Sequence, residues 1–127
     1  MKKFINGVDQ VEDQMIQGMV KAYPKHLRKL ECGNVVVRAE KKEGKVALIS
    51  GGGSGHEPAH GGFVGRGMLD AAVAGAVFTS PTPDQILEGI KAIATDKGVL
   101  MVVKNYTGDV MNFEMAAEMA EMEGISV

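Results

Sequence analysis

The chain has 127 residues, enough for one domain or part of one. Hydrophobic residues make up 45% and charged residues 24%, a balance that suits a globular protein in water. A net charge of −2, with four Phe, two Tyr and no Trp, provides neither the basic surface nor the stacking platform of a nucleic-acid binder. Cys32 is the sole cysteine, so neither an internal disulfide nor a cysteine-based zinc site can form, and a free thiol suits a reducing, cytoplasmic setting. The opening MKKFINGVDQ lacks an apolar h-region, which predicts no signal peptide. No apolar run reaches the length of about 18 residues that a membrane helix needs.

In chain order, Val8, Val11, Met15, Met19 and Ala22 recur at helical spacing, which predicts a helix over 8–22 with Asn6 as its cap and Tyr23-Pro24 as its stop. His26, beside Lys25, Arg28 and Lys29, reads as a solvated basic stretch. VVVRA at 35–39 is β-branched and short, a strand. KKEG at 41–44 is a turn, and KVALIS at 45–50 is a buried strand running into a glycine loop. The glycine- and alanine-rich segment 61–80 matches no template, beyond a loop at Thr79-Ser80-Pro81. Thr82-Pro83-Asp84-Gln85 has the cap, first-turn proline and capping-box glutamine of a helix start, and Ile86, Leu87, Ile90 and Ile93 supply its apolar face before Gly98 ends the segment. VLMVV at 99–103 is another buried strand, and KNYTGD at 104–109 a polar loop. A helix is predicted over 110–123, with Met111, Met115, Ala116 and Met119 filling the core. The final GISV reads as the start of a strand, cut short, so an incomplete domain with a partly unclosed core is expected. Strands alternating with helices predict an α/β layered domain, its sheet mixed or mostly parallel and flanked by helices.

The chemistry concentrates in SGGGSGHEP at 50–58. Three readings compete. His56-Glu57-Pro58-Ala59-His60 matches the zinc-hydrolase pattern H-E-x-x-H, but glycines before it and Gly61-Gly62 after it deny it the helix that aligns the two imidazoles. A strand feeding a glycine-rich loop can cradle phosphate, yet the Walker Lys-Ser/Thr and the G-x-G-x-x-G spacing are both missing. The third reading joins two loops. Ligands of α/β sheets sit beyond the carboxyl ends of the strands. If 45–50 and 99–103 are neighbours, His56, Lys104 and Asp109 converge as a proton acceptor, a fixed cation and a carboxylate able to orient and deprotonate a small hydroxyl compound. Gly53 and Gly55 would then admit backbone amides close to it. Against this, His56 could be a helix cap, and Lys104 with Asp109 a solvated pair worth under about 1 kcal/mol. Ser80 could face the same cleft, and His60 reads as structural.

SGGGSGHEP at 50–58, FTSPTPDQI at 78–86 and KNYTGDVMNFE at 104–114, together with KKFIN and GKVALIS, resemble the K subunit of the dihydroxyacetone kinase family over essentially all 127 residues. The resemblance implies that residues 1–127 are the N-terminal part of the first domain of a longer two-domain α/β subunit, which binds dihydroxyacetone and takes part in its phosphorylation to dihydroxyacetone phosphate. It implies Gly53, Ser54, Gly55, His56, Ser80, Lys104 and Asp109 as substrate-binding residues. His56 would be the general base, with Asp109 assisting and polarising the substrate. A histidine beyond these residues would hold the ketone as a covalent hemiaminal, so the 127 residues alone are expected to be inactive. The resemblance implies no metal or cofactor in this chain. The phosphoryl donor would be a partner L subunit carrying ADP that is rephosphorylated from phosphoenolpyruvate, or ATP. The subunit would pair with itself and touch neither nucleic acid nor membrane. A non-catalytic dihydroxyacetone-binding co-activator of transcription is the alternative.

Overall fold

A computed structural model describes residues 1–127. Its elements are α1 (Val11–Ala22), β1 (Leu27–Lys29), β2 (Val35–Arg38), β3 (Ala47–Ser54), β4 (Ala71–Val77), α2 (Pro83–Ile93), β5 (Val99–Val102) and α3 (Thr107–Met122). The strands form one mixed sheet in the order β1-β2-β4-β3-β5. β1–β2 and β2–β4 are antiparallel; β3 runs parallel to both β4 and β5. This is the expected α/β layered domain.

Side chains alternate across the sheet, so its central strands serve two cores, while β5 leaves Leu100 and Val102 exposed on one face. Val35, Val37, Ile49, Ala71, Val73 and Val99 pack with Ile86 and Ile90 of α2 and with Phe113, Ala116 and Ala120 of α3. On the opposite face Val36 and Ala72 pack with Ile16 of α1, joined by Leu27, Val64 and Leu69. No helix is long and apolar enough to cross a membrane.

Several local expectations hold. α1 stops at Tyr23 and β2 covers the β-branched run. α2 opens with the capping box: Thr82 and Gln85 exchange backbone-to-side-chain bonds of 3.3 and 3.5 Å, with Pro83 in the first turn.

Others are corrected. α1 begins at Val11 with no side-chain cap, after a 3-10 turn at Val8–Gln10; Asn6 instead donates to Gln14 at 2.8 Å, and Val8 is exposed. β1 lies inside the stretch expected to be solvated, because Leu27 is buried and pairs opposite Arg38. β3 does not end where the glycines begin. It continues through Gly51, Gly52 and Gly53, paired with Val73, Ala74 and Gly75. A Cβ on Gly51 would lie 2.5 Å from the Val73 carbonyl oxygen and 3.1 Å from the Phe113 ring, so the glycine lets α3 approach the sheet closely. β4 comes from the segment that matched no template. Its small residues are held as a strand by two flanking partners, not by intrinsic propensity. α3 starts three residues before its predicted onset, which carries Asp109 into its first turn. Its buried row is Asp109, Phe113, Ala116 and Ala120, whereas Met111 and Met115 are exposed and do not fill the core. The slimmer row faces the sheet because small and flat side chains fit over the glycines of β3. Residues 125–127 form no strand: Gly124 turns the chain back at φ 81°, and the Ser126 carbonyl accepts from the Val99 N–H at 2.9 Å.

Candidate functional site

β3 and β5 are parallel neighbours, with Ser50 opposite Val102, and Ser50 Oγ donates to the Val102 carbonyl at 2.6 Å. Their carboxyl ends therefore open on the same side of the sheet. β4, on the other flank of β3, brings Phe78, Thr79 and Ser80 there too.

Asp109 lies in the first turn of α3, where the unpaired N–H groups of the helix start favour negative charge. It is 2% exposed. Its Oδ2 stands 3.7 Å from Lys104 Nζ, and its Oδ1 is buried with no hydrogen-bond partner. An unsatisfied buried acceptor costs about 1–3 kcal/mol, which a donor reaching this oxygen would recover. Lys104 is anchored from two sides. Its ammonium lies 5.2 Å from the centre of the Tyr106 ring, and a Cβ on Gly52 would sit 2.5 Å from both its Cε and Nζ. The same Cβ would be 3.1 Å from His60 Cε1, so Lys104 and His60 meet over the bare backbone of Gly52.

His60 is half-buried among charged groups. Burial and then the Lys104 ammonium lower its pKa below the usual 6.5, against the opposing pull of Asp109 and Glu57. The neutral form of the imidazole is thereby favoured. His56 is exposed, its ring flanked by Phe78 at 5.7 Å, edge-on, and by Tyr106 at 6.5 Å, stacked. Glu57 folds back, both carboxylate oxygens accepting from the Gly55 N–H at 3.0 and 3.2 Å. Residues 56–60 form turns, so the H-E-x-x-H pattern does not present two histidines on a helix face.

The structure sets Lys104 directly beside Asp109, and His56 reaches Lys104 only through the Tyr106 ring that both approach. Ser80 joins them, its Oγ close to the first turn of α3 at Gly108, while Asn112 of that helix donates to the Pro81 carbonyl at 2.8 Å. The glycine stretch plays a different part from the one its composition suggests. A Cβ on Gly53 would lie 2.7 Å from the Thr79 nitrogen, so Gly53 admits the 78–80 turn. Ser54 spends its hydroxyl on the Gly75 carbonyl at 2.8 Å. Gly55 has φ 110° and lies under the Phe78 ring. Sequence reasoning missed Gly52, Phe78 and Tyr106, and treated His60 as structural. One signal was available: of the chain's six aromatics, Phe78 opens the FTSP segment and Tyr106 lies within KNYTGD.

Known proteins share this fold. The chain is 62% identical over all its 127 residues to the PTS-dependent dihydroxyacetone kinase 1, dihydroxyacetone-binding subunit DhaK, of Listeria innocua, and spans 39% of that relative's length. It superposes on the dihydroxyacetone kinase of C. freundii in its native form with a TM-score of 0.94 and 47% identity, over 99% of this chain and 24% of that one. It also superposes on the dihydroxyacetone kinase operon co-activator Dha-DhaQ with a TM-score of 0.85 and 42% identity, over 90% of this chain and 35% of that one. The Dak1 domain model matches residues 17–127, and the chain belongs to the Dak1 domain family.

Proposed function

We propose that these residues are the dihydroxyacetone-binding part of a cytoplasmic dihydroxyacetone kinase subunit, which passes a phosphoryl group to dihydroxyacetone to give dihydroxyacetone phosphate. The observation that carries this reading is the buried, unpartnered Oδ1 of Asp109 beside the Lys104 ammonium. A small polyol or hydroxyketone supplies what both lack: a hydroxyl to donate to Oδ1 and an oxygen to accept from Nζ. The Listeria relative, described as a dihydroxyacetone-binding subunit, supports the choice of ligand.

In this mechanism Asp109 and Lys104 fix the substrate at the ends of β3 and β5, with Ser80 and the backbone of Gly53, Ser54 and Gly55 around it. Ser54 contributes through its backbone, because its hydroxyl is already committed to Gly75. His56 accepts the proton of the attacking hydroxyl as the oxygen–phosphorus bond forms and the donor's phosphorus–oxygen bond breaks. Asp109 holds and polarises the substrate. The donor is carried by a partner, a nucleotide-binding subunit recharged from phosphoenolpyruvate. The relative's description as PTS-dependent favours this over direct use of ATP. The subunit pairs with itself.

A positioned base contributes on the order of 10²–10⁴-fold, so His56→Ala, in a subunit carrying these residues and supplied with its donor partner, loses turnover on that scale and retains dihydroxyacetone binding. Unchanged turnover rejects the base role. The likeness to the operon co-activator supports a second reading, a dihydroxyacetone sensor without catalysis. Under it the wild-type subunit binds dihydroxyacetone yet phosphorylates none with any donor. The presence of both His56 and Asp109 favours the enzyme, since a sensor needs no base.

A further inference from the structure

Phe78 is the only non-glycine residue with a positive φ, 52°. For a bulky L side chain the left-handed region is sterically costly, and such outliers gather at functional sites. Burial does not offset the cost, because Phe78 is 73% exposed. The unusual backbone instead aims the ring. The Phe78 N–H donates to the Ser54 carbonyl at 2.8 Å, which fixes the turn onto the end of β3. Its ring then lies over Gly55, where an added Cβ would come within 2.7 Å of Phe78 Cε1, and meets the His56 ring edge-on with the planes at 75°. Tyr106 covers another side of the same imidazole at an interplanar angle of 30°, and is itself 61% exposed. No protein side chain or backbone group hydrogen-bonds the exposed His56 ring, and Phe78 and Tyr106 are the aromatic rings beside it.

We infer that Phe78 and Tyr106 are positioning residues, a two-sided aromatic brace that sets the direction of the His56 imidazole while leaving both ring nitrogens free for proton transfer. The left-handed turn at Phe78 and the glycine at 55 are what the brace requires of the backbone. A hydrogen bond to His56 would orient it equally well but would occupy a nitrogen. Edge-on and stacked rings orient it through their quadrupoles and occupy none. Tyr106 adds a link to the cation, because the Lys104 ammonium sits over its ring. The role in turnover rests on the reading of His56 as the base; the brace itself does not.

The test separates the two. Phe78→Gly removes the ring and relieves the left-handed backbone. Phe78→Leu keeps apolar bulk without an aromatic plane. Phe78→Tyr keeps the plane. The side-chain rotamer of His56 is followed by NMR, through scalar couplings and NOEs that report its direction independently of the neighbouring ring current, in the subunit carrying these residues, together with the melting temperature. kcat and KM are measured in the same subunit with its donor partner. The brace predicts that His56 spreads over several rotamers in the Gly and Leu variants and returns to one in Tyr, and that Phe78→Gly melts no lower than wild type. It predicts that kcat falls about tenfold in Gly and Leu with KM nearly unchanged, the scale of a small misplacement of a catalytic group. An unchanged His56 rotamer in both Gly and Leu overturns the brace, whatever the protein's activity. A released rotamer with full kcat overturns its part in turnover. A wild-type subunit with no kinase activity removes the base reading and leaves the rotamer to decide the brace.

Discussion

Lys104 Nζ stands 3.7 Å from Asp109 Oδ2, too far for a strong hydrogen bond, while Asp109 Oδ1 is buried with no partner at all. A structural ion pair closes tightly and satisfies both oxygens. This pair is held apart by its anchors, Lys104 over Gly52 and Tyr106, Asp109 in the first turn of α3.

The first prediction concerns that oxygen. A hydrogen bond to a charged group is worth about 1.5–3 kcal/mol, so Asp109→Asn weakens dihydroxyacetone binding roughly ten- to hundredfold. Because the carboxylate is under-satisfied in the free protein, the same change leaves the melting temperature close to wild type. Calorimetric titration and a thermal melt check the two halves.

Gly52 and Gly53 are adjacent, yet their alanine variants differ in kind. The Gly52 methyl meets the flexible end of Lys104, which can swing aside, so Gly52→Ala folds normally and loses ligand affinity as Lys104 leaves Asp109. The Gly53 methyl meets the backbone of Phe78 and Thr79, which cannot. Gly53→Ala therefore loses about 1–3 kcal/mol of stability, the usual cost of overpacking. Denaturant melts beside ligand titrations separate these outcomes.

His60 reports on the charges around it. Burial and Lys104 lower its pKa from 6.5, while Asp109 raises it. Its NMR titration midpoint therefore lies below 6.5, moves up in Lys104→Met and moves down in Asp109→Asn. Because the folded-state pKa is the lower one, His60 adds a loss of stability as pH falls from 6.5 toward that midpoint.

Asp70 ties the other end of the sheet. It accepts from Lys45 at 2.7 Å, from the Leu48 N–H at 2.8 Å and from Arg38 at 3.2 Å. Burial works against its charge, but these donors prevail and hold its pKa below the usual 3.8. The folded-state value is again depressed, so the stability from Asp70 is complete above pH 3.8 and is lost as pH falls through the lower folded-state pKa. Asp70→Asn leaves the partly exposed Lys45 and Arg38 facing a neutral amide, costs about 1–3 kcal/mol at pH 7, and removes this acid-side slope. Denaturant melts from neutral to strongly acidic pH test it.

Much of this architecture was legible because local signals agreed with the fold. α2 carries its own start in Thr82-Pro83-Asp84-Gln85, and β2 and β5 are β-branched or apolar runs. β4 was not, since AAVAGAV has no propensity of its own and becomes a strand only between β2 and β3. The face of α3 was half legible: Ala116 is buried and Met119 packs against the core, but Met111 and Met115 are exposed, because methionine spacing says nothing about Gly51 opposite, where the Phe113 ring fits. In the site, His56, Lys104 and Asp109 could be grouped from two strand ends. The seat of Lys104 on Gly52 and the aromatic rings about His56 could not. They depend on contacts between segments far apart in the chain, which exist only once the strand order β4-β3-β5 is known.

The most direct test is a crystal structure with dihydroxyacetone bound. The account predicts a ligand hydroxyl within hydrogen-bond distance of Asp109 Oδ1, about 2.6–3.0 Å, a ligand oxygen on Lys104 Nζ, and a second hydroxyl facing His56. Dihydroxyacetone bound elsewhere, with Asp109 Oδ1 still unpaired or holding only water, would contradict it.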